Sequence, residues 1–181
     1  MRDKVLFKGY FTVTSRDGVE VVHATDSVAF LIADPRRRVV LLISQERHAM
    51  RRRRNWKGMT VEVPAGRRDV KLGVKALIAK EAKEETGMRI GPEQIKLLNR
   101  GASLALSPGV LTEKMYLAYV EARIKEPLGK SQKVFGLASE GERITRLVVS
   151  YDELRKMVFE DMKTYALVQW FLMNVIQKEG K

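Results

Sequence analysis

The chain has 181 residues, enough for one domain with a sizeable core. Its hydrophobic fraction of 45% is ordinary for a globular domain, and no apolar run approaches the roughly 18–20 residues of a membrane span. Cysteine is absent, which excludes disulfides and thiolate metal sites, while 34 Lys+Arg against 22 Asp+Glu give a net charge of +12 suited to phosphate-bearing partners.

The opening Met1-Arg2-Asp3-Lys4 lacks the apolar core of a secretory signal, so the cytoplasm is the expected compartment. Residues 5–14 and 19–25 carry many β-branched and aromatic side chains and predict a hairpin around Arg16-Asp17-Gly18. Val28-Ala29-Phe30-Leu31-Ile32-Ala33 and Val39-Val40-Leu41-Leu42-Ile43 are nearly continuously apolar, as for strands buried on both faces. Between them, Asp34-Pro35 predicts a turn, and Arg36-Arg37-Arg38 reads as a solvated loop. A second basic block, Arg51-Arg52-Arg53-Arg54, is better placed for a phosphate contact.

Residues 59–63 predict a short strand ended by Pro64-Ala65-Gly66. A loop to Gly73 leads into a helix over residues 74–86, with Gly87 where a left-handed cap belongs. Residues 97–106 and 114–121 read as strands around Ser107-Pro108-Gly109, and the polar stretch 122–142 reads as a long loop. A strand over 145–150, a helix over 151–159 and an amphipathic helix over 163–177 with Trp170 and Phe171 complete the chain. The expected fold is α+β, with an N-terminal β region (residues 1–26) and a main domain (27–181) built on a mixed sheet.

The predicted helix carries the most chemistry. At 3.6 residues per turn, Val74, Leu77, Ile78, Glu81, Glu84, Glu85 and Met88 share one side, and Lys75, Lys80 and Lys83 fall away from it. An apolar stripe thus runs on into a carboxylate stripe, at the negative end of the helix dipole, where acids are disfavoured by about 0.3–1 kcal/mol each. A hard divalent cation resolves that conflict, because it prefers carboxylate oxygens and brings a large positive charge.

The segment from Gly66 to Leu72, followed by Lys80-Glu81-Ala82-Lys83-Glu84-Glu85-Thr86-Gly87-Met88, resembles the Nudix box. Its spacing is kept with two departures: Leu72 stands for the first Glu and Lys80 for the Arg. Outside the box, Val61-Glu62-Val63-Pro64-Ala65-Gly66, Ser44-Gln45-Glu46-Arg47, Ser107-Pro108-Gly109-Val110-Leu111-Thr112-Glu113 and Asp161-Met162-Lys163-Thr164 are similar to segments of the ADP-ribose pyrophosphatase branch. The resemblance implies a Nudix fold, an α/β/α sandwich, and hydrolysis of the diphosphate of nucleoside diphosphate sugars such as ADP-ribose. It implies Mg²⁺ or Mn²⁺ held by Glu81, Glu84, Glu85 and the carbonyl of Ala65. Arg47, Ser107 and Glu113 become substrate-binding candidates.

The base that activates water comes, in that branch, from an acidic loop well after the box. Ser139-Glu140-Gly141-Glu142 matches it, with Glu140 first as base and Glu142 as a further ligand or alternative base. Tyr10, Phe11 and Trp56 are candidate platforms for a nucleobase. The branch also implies a homodimer in which the N-terminal strands exchange and the partner supplies part of the site. Two other readings stay open: a non-catalytic nucleotide- or RNA-binding Nudix module, which Leu72, Lys80 and the basic charge would suit, and an RNA-end pyrophosphohydrolase. Basic blocks without an array of stacking aromatics do not favour nucleic acid as partner.

Overall fold

The computed structural model describes residues 3–52, 55–137, 139 and 141–177. Two sheets are present among the described residues. The first contains β1 (Lys4–Lys8), β2 (Thr12–Arg16) and β3 (Val19–His23) in the order β1-β2-β3, all antiparallel. The predicted hairpin is there, turned by Asp17 and Gly18 at φ +53° and +83°. Its first strand, however, breaks at Gly9 and folds back as β1.

The main sheet begins with β4 (Ser27–Asp34) and β5 (Val39–Glu46), whose residues 28–33 and 39–43 are all buried. Continuous apolar runs have this outcome, because helices cover both faces. On one face lies α1 (Val74–Thr86), whose Leu77, Ile78 and Ala82 pack on Val28, Phe30, Leu41 and Ile43. On the other, α2 (Tyr151–Leu154) and α3 (Met162–Phe171) bring Tyr151, Leu167 and Phe171 onto Ala29, Leu31, Val40 and Leu42. The architecture is the expected α/β/α sandwich.

Topology opens the site. β4 and β5 pair only through residues 32–34 and 39–41 and then part. β6 (Met59–Glu62) continues beside β5, and β7 (Ala65–Arg67) beside β4, so the chain crosses the split at Val63-Pro64. The far edge of β4 takes β10 (Lys114–Glu121) in parallel, with β8 (Ile95–Leu97) and β9 (Leu104–Ala105) antiparallel beyond it. The far edge of β5 takes β12 (Ile144–Ser150), and β12 takes β11 (Gly129–Phe135).

Five sequence expectations change here. The strand over 97–106 is two short strands around a turn at Asn99–Gly101, where Asn99 and Arg100 have positive φ. The loop over 122–142 contains the edge strand β11, whose mostly exposed face hides its strand character. The helix over 151–159 closes after one turn, although Ser150 caps it as an N-cap should by accepting from the Glu153 N–H. The last helix passes into a π-helical turn at Leu172–Ile176. In the first basic block, Arg37 is not merely solvated: it donates to the carbonyls of Ile124 and Glu126 and ties the turn to the chain after β10.

Candidate active site

The acidic stripe of α1 faces the split between β6 and β7. Val28 pairs with Gly66 and points toward α1, so the Cα of Gly66 does too. The Glu81 carboxylate lies directly over it: a Cβ at Gly66 would stand 2.1 Å from Glu81 Cδ. One turn on, Glu85 is 3% exposed and accepts from the Ala65 N–H at 2.9 Å. Gly87 ends the helix at φ +70°, as expected from the sequence.

The charges are poorly balanced in the interior. Burial pushes the Glu81 carboxyl up to about 7; Lys80 opposes this, and Glu84 and Glu142 add to it. Burial likewise holds Glu85 well above the usual carboxylate range, against the Ala65 N–H and with help from Glu142 and Glu81. Glu142 is therefore within electrostatic reach of both acids. It is half-buried, and its Oε2 accepts from the Leu137 N–H at 3.0 Å.

Lys80 departs from the helical-wheel expectation. Its ammonium reaches back to Glu84 Oε2 at 2.6 Å and Glu81 Oε1 at 3.2 Å. Burial lowers its affinity for a proton, but the two carboxylates outweigh that and hold Lys80 firmly charged. Among the described residues no three His, Cys, Asp or Glu side chains are gathered as a ready coordination set. The donor chemistry nevertheless fits a hard cation: two buried carboxylates with raised pKa, a third beside them on the ammonium, and a glycine that lets Glu81 lie against the backbone. A cation here would take Glu84 and Glu81 over from Lys80.

A pH dependence follows. A carboxyl raised in the folded state costs nothing while protonated in both states and costs stability as pH climbs through its folded pKa. In metal-free protein the thermal midpoint should therefore fall between about pH 5 and 8, and Mn²⁺ should restore most of the loss at the upper end. A midpoint indifferent to pH and to Mn²⁺ across that range would leave the buried acids already compensated.

The other expected site residues are distributed as follows. Arg47 forms a bidentate pair with Glu62, with Nε–Oε1 at 2.9 Å and Nη2–Oε2 at 2.8 Å. Glu62 also accepts from Lys163 Nζ at 2.7 Å and Thr60 Oγ1 at 2.6 Å. Burial favours the neutral form of Glu62, but Arg47 and Lys163 win and leave it lowered to about 2. Glu113 accepts from Ser27 Oγ at 2.5 Å, at the strand position paired with Arg67. Ser107 opens an exposed turn whose Val110 carbonyl accepts from Val22 N–H of β3 at 2.7 Å, which fastens the turn to the first sheet. Tyr10 and Phe11 are exposed and flank the Arg67 guanidinium at 4.6 and 5.6 Å from their ring centroids. Trp56 is 73% exposed under Lys57. Asp161 caps α3 by accepting from the Thr164 N–H, a structural role. Glu140, together with Arg53 and Arg54, lies outside the described residues.

Sequence reasoning missed five participants: Lys80 as partner of the acids, Glu62 and Lys163 as a buried pair, Arg67 on its two rings, and Arg146 behind the helix. Only Lys80 had a sequence signal, its i,i+4 spacing to Glu84.

Proteins named GDP-mannose pyrophosphatase are similar to this chain over nearly all of its length. That of Cronobacter sakazakii is 28% identical over 184 residues, covering 93% of this chain and 92% of that protein. Those of Escherichia coli and Salmonella paratyphi B are each 29% identical, over 192 and 187 residues, covering 96% and 94% of this chain and 94% and 92% of theirs. No family model matches the chain.

Proposed function

We infer that this chain is a Nudix pyrophosphohydrolase that cleaves the diphosphate bond of a nucleoside diphosphate sugar, giving a nucleoside monophosphate and a sugar phosphate. The observation that carries the reading is the pair of buried acids, Glu81 against Gly66 and Glu85 on the Ala65 N–H, both within reach of Glu142. Its relatives are pyrophosphatases of GDP-mannose, which makes that nucleotide sugar a first candidate beside ADP-ribose.

Glu81, Glu84 and Glu85, with the Ala65 carbonyl, would hold Mg²⁺ or Mn²⁺. Bound there, such ions supply positive charge to the diphosphate oxygens and make an attacking water more acidic. The chain's own groups do the rest. Glu140 takes the proton of that water, with Glu142 as the alternative base or a further ligand. Arg47, held at the rim by Glu62, offers a guanidinium edge to a phosphate. Ser107 and Glu113 meet the sugar hydroxyls, and Glu113 already accepts from a hydroxyl, that of Ser27. The separate N-terminal sheet, with Val5, Phe7 and Tyr10 exposed, suits a homodimer in which the partner's arm completes the nucleoside side.

The test is product release in Mg²⁺ and in Mn²⁺ across GDP-mannose, ADP-ribose, other nucleoside diphosphate sugars and capped RNA, with wild type, E140Q and E142Q. We expect turnover on a nucleotide sugar and a loss of about 10²–10⁴-fold in whichever variant removes the base. Salt-sensitive RNA binding without release from any nucleotide sugar would instead establish the non-catalytic reading.

A further inference from the structure

Arg146 belongs to β12 but works on α1. It pairs with Ile43 of β5, and Ile43 pairs with Glu62 of β6. Directly opposed residues of antiparallel strands share a face, so Arg146, Ile43 and Glu62 form one row facing α1. From that row Arg146 Nη1 donates to the carbonyl of Thr86, the last residue of α1, at 3.0 Å, and to Glu126 Oε1 at 2.5 Å.

Its guanidinium also lies over Phe135, 4.4 Å from the ring centroid. Phe135 fills the space beside the helix cap, where a Cβ on Gly87 would stand 2.7 Å from the ring. The next residue, Gly136, donates its N–H to the Glu84 carbonyl at 3.1 Å. Three contacts therefore clamp the end of β11 to the last turn of α1. Immediately beyond the clamp the chain grips Glu142: Leu137 N–H donates to its Oε2, and a Cβ at Gly136 would meet its Cβ at 2.8 Å.

Stability alone is a poor reason for an arginine here. The side chain is 11% exposed, and its Nε is buried without a hydrogen-bond partner among the described residues. Such a group subtracts from stability. Nor is Arg146 among the principal charges acting on Glu81 or Glu85, whereas Glu142 is. Its influence on the acids runs through geometry.

We propose that Arg146 is a positioning residue for the hydrolysis: by clamping β11 to the C-terminal turn of α1, it sets the distance between Glu142 and the acids of the helix. The proposal rests on the functional reading above. The clamp and the grip on Glu142 are continuous along the chain: Gly136 holds the Glu84 carbonyl and the adjacent Leu137 N–H holds the Glu142 carboxylate.

The experiment is a double-mutant cycle between R146M and E142Q, with R146K and F135L as companions, reading Mn²⁺ affinity by calorimetry alongside kcat and KM. R146M should weaken Mn²⁺ binding and lower kcat by about 10-fold each, with KM changed less than kcat. R146K, which can still donate to the Thr86 carbonyl, should recover part of both. E142Q should cost much less in the R146M background than in wild type. F135L breaks the same clamp with Arg146 in place and should give the same pattern, which covers the case in which R146M fails to fold. Strictly additive effects of R146M and E142Q, or wild-type Mn²⁺ affinity in folded R146M or F135L, would overturn the proposal. Should wild type turn over none of the substrates, the functional reading fails, and the calorimetric cycle still decides the clamp.

Discussion

Glu85→Gln should lower turnover of the preferred nucleotide sugar by about 10³-fold, while making the metal-free protein more resistant to heat. The two effects have one cause. The Glu85 carboxyl is 3% exposed, and burial, Glu142 and Glu81 all disfavour its charge. Glutamine is isosteric, keeps an oxygen for the Ala65 N–H at the same place, and removes the charge. The folded state then bears neither a desolvated anion nor the cost of holding that carboxyl protonated above its ordinary range. A midpoint gain of roughly 3–6 °C follows for a domain of this size. The same charge is what a divalent ion would need, so the gain should vanish in saturating Mn²⁺, where wild type recovers and the variant does not. Thermal melts with and without Mn²⁺, set beside steady-state rates, check both halves. A variant that is less stable without metal would show that Glu85 is held as a structural anion, and normal turnover would remove it from the ligand set.

That prediction depends on a feature readable from the sequence alone. Residues 74–86 announced a helix by period, its end by Gly87, and its purpose by acids continuing an apolar stripe. The two central strands were equally plain, because a run such as Val28 to Ala33 has no polar face to hide. What the sequence concealed has a physical explanation in each case. β11 reads as polar because it is an edge strand exposed along most of its length, so its strand state comes from pairing with β12 and leaves no apolar alternation. Lys80 was placed by its Cβ direction, whereas its long stem lets the ammonium return to Glu84 and Glu81. The Glu62 cluster joins residues 15 and 101 positions apart, which no local spacing reports.

Glu62→Ala should destabilise the fold by about 2–3 kcal/mol and raise KM more than it lowers kcat. Glu62 is 2% exposed, and it satisfies Arg47, Lys163 and Thr60 at once. Removing it strands two cations in a partly dry setting, which is the costly way to break a buried pair. The loss sits at or below the lower end of the roughly 3–5 kcal/mol for a fully buried pair because each cation has somewhere to go. Lys163 keeps Asp161 at 2.9 Å, and the Arg47 side chain, 42% exposed, can turn to water. That turning carries the kinetic effect: Arg47 freed from its bidentate partner no longer presents one fixed guanidinium edge at the rim, and phosphate binding weakens while the acids of α1 stay in place. Acid titration supplies an independent check. The folded Glu62 carboxyl is lowered to about 2, so its contribution is fully present above the usual carboxylate range, near pH 4.5, and is lost as pH falls through about 2. The difference in stability between wild type and E62A should thus hold steady above about pH 5 and shrink on acidification. A gap that widened on acidification would mean that Glu62 is protonated in the fold and that Arg47 meets a neutral carboxyl instead of a carboxylate.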